Sequence, residues 1–166
     1  MIGRRIVLGA ALAAPFVAHA QAAARVVVIG AGFGGATCAR WLRMSRPELD
    51  VTLVEGSPNY VACPFSNEVI AGLRDLEAQH FTFEKLAQAV RVVRGTATGV
   101  DPAAKRISLG DGTALPYDRL VLSPGIDLRF EALPGYTEAA QDRMPHAWKA
   151  GPQTLLLRDQ LRAMPD

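Results

Sequence analysis

Residues 25 to 55 decide the fold: an apolar run, Val26-Val27-Val28-Ile29, is followed by Gly30-Ala31-Gly32-Phe33-Gly34-Gly35, a helical stretch, and a second run, Val51-Thr52-Leu53-Val54-Glu55. Strand, glycines, helix, strand and terminal acid in this order form a dinucleotide fingerprint. Gly30 allows the tight turn out of the strand, Gly32 lets the backbone approach a pyrophosphate, and Gly35 lets the helix pack closely on the sheet. Phe33 and Gly34 complete the turn, so that amides at the helix start face an anion. Glu55 stands twenty positions after Gly35. A carboxylate there accepts hydrogen bonds from both ribose hydroxyls of an adenosine and repels a 2′-phosphate.

The chain of 166 residues is 49% hydrophobic and 20% charged, which suits one globular domain with a core of ordinary size. Its first residues read differently. Arg4-Arg5 precede an apolar run from Ile6 to Ala18 and a small-residue site, Ala18-His19-Ala20, the three parts of an export signal. The run is too short to span a bilayer. The paired arginines suggest the twin-arginine route, although the usual Phe after the pair is missing. Residues 1–20 are therefore expected to be a signal peptide, residues 25–166 an FAD/NAD(P)-binding Rossmann-like domain, and the location periplasmic. Without residues 1–20 the chain carries 16 Lys and Arg against 16 Asp and Glu, a balance that gives no sign of a nucleic-acid surface.

Further along, helix one is expected from Gly34 to before Pro47, with Ala36, Ala39 and Leu42 inward and Arg40 and Arg43 outward. Tyr60-Val61-Ala62-Cys63-Pro64-Phe65 reads as an extended loop, since the residue before a proline avoids the helical region. Ser66 is placed to cap a short helix that stops at Gly72, and Thr82 to cap another with Phe83, Leu86, Ala87 and Val90 inward. A third parallel strand follows near Val90 to Val93. Short alternating stretches separated by Asp101-Pro102 and Gly110-Asp111-Gly112 predict two or three antiparallel strands. Tyr117 to Ser123 is a buried strand closed by Pro124-Gly125. Phe130 to Gly151 is mostly irregular, and Gln153 to Met164 is helical. Such a helix normally hands the chain to another strand, and none follows, so the chain reads as the amino-terminal piece of a larger protein. The fold class is thus α/β, a parallel sheet of about four strands flanked by helices, with an antiparallel flap inserted in the crossover.

Val26 to Glu55, the antiparallel excursion, and Tyr117-Asp118 through Ser123-Pro124-Gly125 together resemble the FAD domain of two-dinucleotide-binding-domain flavoproteins. Two stretches narrow the resemblance. Tyr60-Val61-Ala62-Cys63-Pro64-Phe65-Ser66-Asn67-Glu68-Val69-Ile70 and Pro145-His146-Ala147-Trp148-Lys149-Ala150-Gly151 are similar to the flavoprotein subunit of flavocytochrome c sulfide dehydrogenase. The resemblance implies FAD joined through the Cys63 sulfur to the 8α-methyl carbon of the isoalloxazine ring. It also implies adenine contacts from the Thr96-Ala97 backbone and a close pass of Ser123-Pro124-Gly125 along the flavin chain, with Gly125 there because no side chain fits. His146 and Trp148 are placed near the flavin, or simply in a packed loop. For Cys63 the residues alone leave three readings open: a flavin link, a buried structural thiol, or a bridge to Cys38, itself expected to be a small core residue.

The same resemblance implies an enzyme that oxidises sulfide and passes electrons to a c-type cytochrome subunit. Its redox-active cysteine pair would lie beyond Asp166, so no catalytic residue is assigned within these residues. Two other functions stay open: a sulfide:quinone oxidoreductase, or a non-catalytic flavoprotein partner of a sulfur-oxidising system. His19 and His80 have no partner at metal-ligand spacing, and no metal site is assigned.

Overall fold

A computed structural model describes residues 23–165; the export-signal reading falls outside these residues. Its strands are β1 (Arg25–Ile29), β2 (Asp50–Glu55), β3 (Asn59–Val61), β4 (His80–Thr82), β5 (Arg91–Arg94), β6 (Ala97–Asp101), β7 (Arg106–Leu109), β8 (Ala114–Pro116) and β9 (Arg119–Leu122). The helices are α1 (Phe33–Ser45), α2 (Ser66–Ala71), α3 (Glu84–Ala87) and α4 (Pro152–Arg162). Four parallel strands form the central sheet in the order β5-β2-β1-β9. The antiparallel flap expected between β5 and β9 is β6-β7-β8.

Both faces of the central strands are covered, which explains their unbroken Val, Ile and Leu runs. Because side chains alternate along a strand, Val26, Val28, Val51 and Leu53 point to one side, where they join Ala39 of α1 together with Phe83 and Val90. Val27 and Val54 point to the other and pack with Ile107, Leu109 and Tyr117 of the flap segment. The result is three layers, with helices on one face and the flap on the other. All four parallel strands end at one edge, the edge at which open α/β sheets bind ligands.

Arg25 and Asp118 fix the outer register of this sheet. The Asp118 carboxylate accepts the Arg25 backbone N–H at 2.8 Å and its guanidinium at 3.0 and 3.2 Å, while the Asp118 amide donates to the Arg25 carbonyl at 2.8 Å. The Arg25 side chain, and then its backbone N–H, holds the Asp118 carboxyl down at about 2. A carboxyl depressed when folded contributes stability that is present above its ordinary value, near 3.8, and lost as pH falls toward 2. Asp118→Asn is therefore expected to unfold at lower temperature than the parent at pH 7, with the difference shrinking between pH 4 and pH 2; calorimetry across that range reads it.

Several local expectations need correction. Tyr60 and Val61 are not loop: β3 pairs antiparallel with β4, matching Tyr60 to Phe81, and the Ala62 amide extends the pairing to the Gln79 carbonyl at 2.9 Å. Thr82 ends β4 instead of capping α3, whose N-cap is Phe83, and Ala87 is exposed. Ser66 is the first residue of α2 rather than its cap; its hydroxyl is buried with no partner. Arg43 does not simply face water. Its guanidinium folds over the end of α1 and donates to the carbonyls of Ala89, Pro47 and Leu49, tying the helix to the start of β2.

Candidate functional site

The four groups of residues singled out by the sequence follow the carboxyl ends of the four parallel strands: Gly30–Gly35 after β1, Glu55 at the tip of β2, Thr96-Ala97 after β5, and Ser123–Gly125 after β9. Gly30 has φ +93°, and a β-carbon on it would fall inside the Ser123 carbonyl oxygen. Backbone conformation and backbone proximity therefore both demand glycine there. Gly35 is buried in the first turn of α1, where a β-carbon would overlap the Gly30 carbonyl oxygen and come within 3.3 Å of Ser123 Cβ. One on Gly34 would lie 2.9 Å from Ser123 Oγ. Ser123 thus touches three of the four glycines of the turn.

Gly32 is different. It is the N-cap of α1, with no side-chain cap, and a β-carbon on it would meet only the edge of Tyr60, 3.5 Å from Cε2. The amides of a first helical turn lack intrahelical acceptors, so this end of α1 is an anion site. Phe33, 58% exposed, stands beside it with its ring edge-on to Tyr60 at 5.3 Å.

Glu55 links the turn to β2. One carboxylate oxygen accepts the Ala31 amide at 2.8 Å and the other the Ser57 amide at 2.8 Å. Each oxygen keeps a further lone pair for a ribose hydroxyl. Thr96 closes the same corner, its hydroxyl 2.6 Å from where a β-carbon on Gly56 would lie, and its carbonyl accepts the Gly110 amide at 3.0 Å. Ala97 pairs with Leu109 in the flap. Gly125 has φ +79° with no protein atom within 4 Å of a β-carbon; on the protein side, conformation and not crowding calls for glycine.

Cys63 lies just after β3. Its thiol donates to the carbonyls of Trp148 at 3.1 Å and Ala147 at 3.5 Å. The two stretches that carry the resemblance are therefore in contact around one sulfur. Cys63 and Cys38 are both free and half-buried, so no bridge joins them. The ion pair of Lys149 with Asp127 at 2.8 Å braces the segment that brings Trp148 in. The Trp148 side chain is 77% exposed, whereas His146 Nε2 meets Gln141 at 3.1 Å and its Nδ1 is buried without a partner.

Sequence reasoning missed Tyr60, which the β3–β4 pairing presses against the turn. It borders a cavity of about 510 Å³ shared with Gly32, Phe33, Thr37, Arg40 and Lys85. Its place at the head of the Cys63 stretch was the only available signal. These residues fit a flavin dinucleotide: free amides for the pyrophosphate, a carboxylate for the ribose, glycines where side chains would obstruct, and a thiol on the segment that follows Tyr60. Among the described residues no group of metal-ligating side chains gathers, and no helix is long and apolar enough to cross a membrane.

Similarity to known proteins agrees with this geometry. Over 45 residues, 27% of the chain and 94% of the relative, the sequence is 58% identical to the sulfide dehydrogenase (flavocytochrome c) flavoprotein chain of Chlorobaculum thiosulfatiphilum. It is 31% identical over 112 residues to the sulfide-quinone reductase of Aquifex aeolicus, 66% of this chain and 26% of that one. The solved structure of the sulfide:quinone oxidoreductase from Aquifex aeolicus superposes with a TM-score of 0.68 at 25% identity, over 84% of this chain and 32% of that one. The chain thus spans about a third or less of these longer relatives. Residues 24–151 match the pyridine nucleotide-disulphide oxidoreductase family, and the chain belongs to that family.

Proposed function

We propose that this chain is the FAD-binding portion of a periplasmic sulfide dehydrogenase that holds FAD covalently through Cys63 and delivers electrons to a c-type cytochrome subunit. The observation that carries the reading is the Cys63 thiol, held by the Ala147 and Trp148 carbonyls three residues after Tyr60, whose ring lies against the Gly-rich turn. The identity to a flavocytochrome c flavoprotein chain supports it. So does the stretch from Arg4 to Ala20, which reads as an export signal.

When bound, the flavin supplies the two-electron chemistry that connects sulfide oxidation to one-electron acceptors. The chain's own residues bind and position. Amides at the start of α1 take the pyrophosphate, Glu55 takes the ribose, and Gly30, Gly34 and Gly35 let α1 sit directly on Ser123. Two carbonyl acceptors aim the Cys63 sulfur, and attachment requires the thiol to give up its proton and leave them.

The full-length protein, purified from its native compartment, tests this. It is expected to oxidise sulfide with ferricytochrome c as acceptor. Reduction of a soluble quinone in place of the cytochrome would replace this reading with a sulfide:quinone oxidoreductase, the function named for the Aquifex aeolicus relatives. Binding of a cytochrome partner without sulfide oxidation would point to a non-catalytic subunit.

A further inference from the structure

We propose that Tyr60 is a cofactor-binding residue whose phenol hydroxyl donates a hydrogen bond to the pyrophosphate held at the Gly-rich turn. The inference rests on the flavin reading above. Tyr60 is the middle residue of β3, fixed opposite Phe81 of β4. Its ring is held upright by Phe33, edge-on with an interplanar angle of 80°. The atoms nearest Gly32 are at the hydroxyl end of the ring: a β-carbon there would lie 3.5 Å from Cε2 and 4.0 Å from Cζ. A ligand accepting from the α1 amides lies beside that hydroxyl. The hydroxyl has no hydrogen-bond partner among the described residues, although the side chain is half-buried.

The charge state suits a donor. Burial, and then the nearby Cys63, push the Tyr60 phenol above its ordinary value, so it stays protonated through the neutral range. Arg40 and Lys85 line the adjoining cavity and form no ion pair among the described residues, which makes this side of the turn positive. Tyr60 would then hold the dinucleotide at its centre while Cys63, three residues on, holds one end.

The test uses the full-length protein carrying Cys63→Ser, so that binding is reversible, with and without Tyr60→Phe, which keeps the ring against Gly32 and Phe33. Equilibrium titration is expected to show FAD affinity falling about 10- to 100-fold on Tyr60→Phe, the size of one hydrogen bond to a charged acceptor. Riboflavin, which lacks phosphate, should bind both proteins alike, and the phosphorus resonances of bound FAD should shift. Unchanged FAD affinity and unchanged resonances would overturn the role of Tyr60 while leaving the flavin reading intact. Equal losses for FAD and riboflavin would overturn it in favour of ring packing. A Cys63→Ser parent that binds no FAD would overturn both.

Discussion

Gly35→Ala is expected to destabilise the protein by about 3 kcal/mol or more and to abolish flavin binding with it, because the added methyl enters a site already filled by backbone. The β-carbon would overlap the Gly30 carbonyl oxygen and press on Ser123 Cβ. No side-chain rotation relieves this. The first turn of α1 must lift from the sheet, and its inner face carries Ala39, fully buried against the β1 and β2 valines and Leu53. Gly32→Ala isolates the other half of the effect. Its φ of −68° suits any residue, and the new methyl meets Tyr60 at ordinary contact distance. Stability should then fall by no more than about 1 kcal/mol, the loss of a glycine N-cap, while flavin affinity falls because the methyl stands where the pyrophosphate approaches. Denaturant unfolding and flavin titration of the full-length variants check both. Equal unfolding midpoints for Gly35→Ala and the parent would contradict the packing described.

Cys63→Ser has the largest expected functional effect. The hydroxyl is a far weaker nucleophile than a thiolate, so the flavin should change from remaining on the chain after acid treatment to being released entirely. The fold should survive, because a serine hydroxyl can still donate to the Trp148 carbonyl. On the function proposed above, reduction of the flavin by sulfide should slow, since an 8α bond raises a flavin's potential and its loss leaves a weaker oxidant. Acid precipitation followed by absorbance of the supernatant reads the first effect, and stopped-flow bleaching of the flavin by sulfide the second. A variant that still retains its flavin through acid would move the attachment point elsewhere.

The legible parts of the molecule were those in which one residue type has one physical use. The Gly30 turn, the close contact at Gly35, the covered valine strands and Glu55 at the tip of β2 all follow from backbone geometry that few sequences satisfy. Strand ends in a parallel sheet share an edge, so placing Thr96 and Ser123 after strands was enough to gather them near the turn. What stayed hidden depends on pairing across the chain. β3 and β4 are three residues each, too short for an alternating pattern to register, and Pro64 made the first of them look like loop. Thr82 and Ser66 have good capping chemistry but sit one position from where the helices need a cap. The Cys63 thiol reaches a carbonyl 85 residues away, a distance no spacing rule covers. Family resemblance named both stretches, and only the structure shows them in contact.

The central claim, that Cys63 is the anchor of a flavin laid along the carboxyl edge of the sheet, is tested most directly by peptide mass and absorbance on acid-denatured full-length protein from its native compartment. The account predicts yellow colour remaining with the Cys63 peptide, at a mass increased by one FAD. Free flavin in the supernatant and an unmodified Cys63 peptide would contradict it.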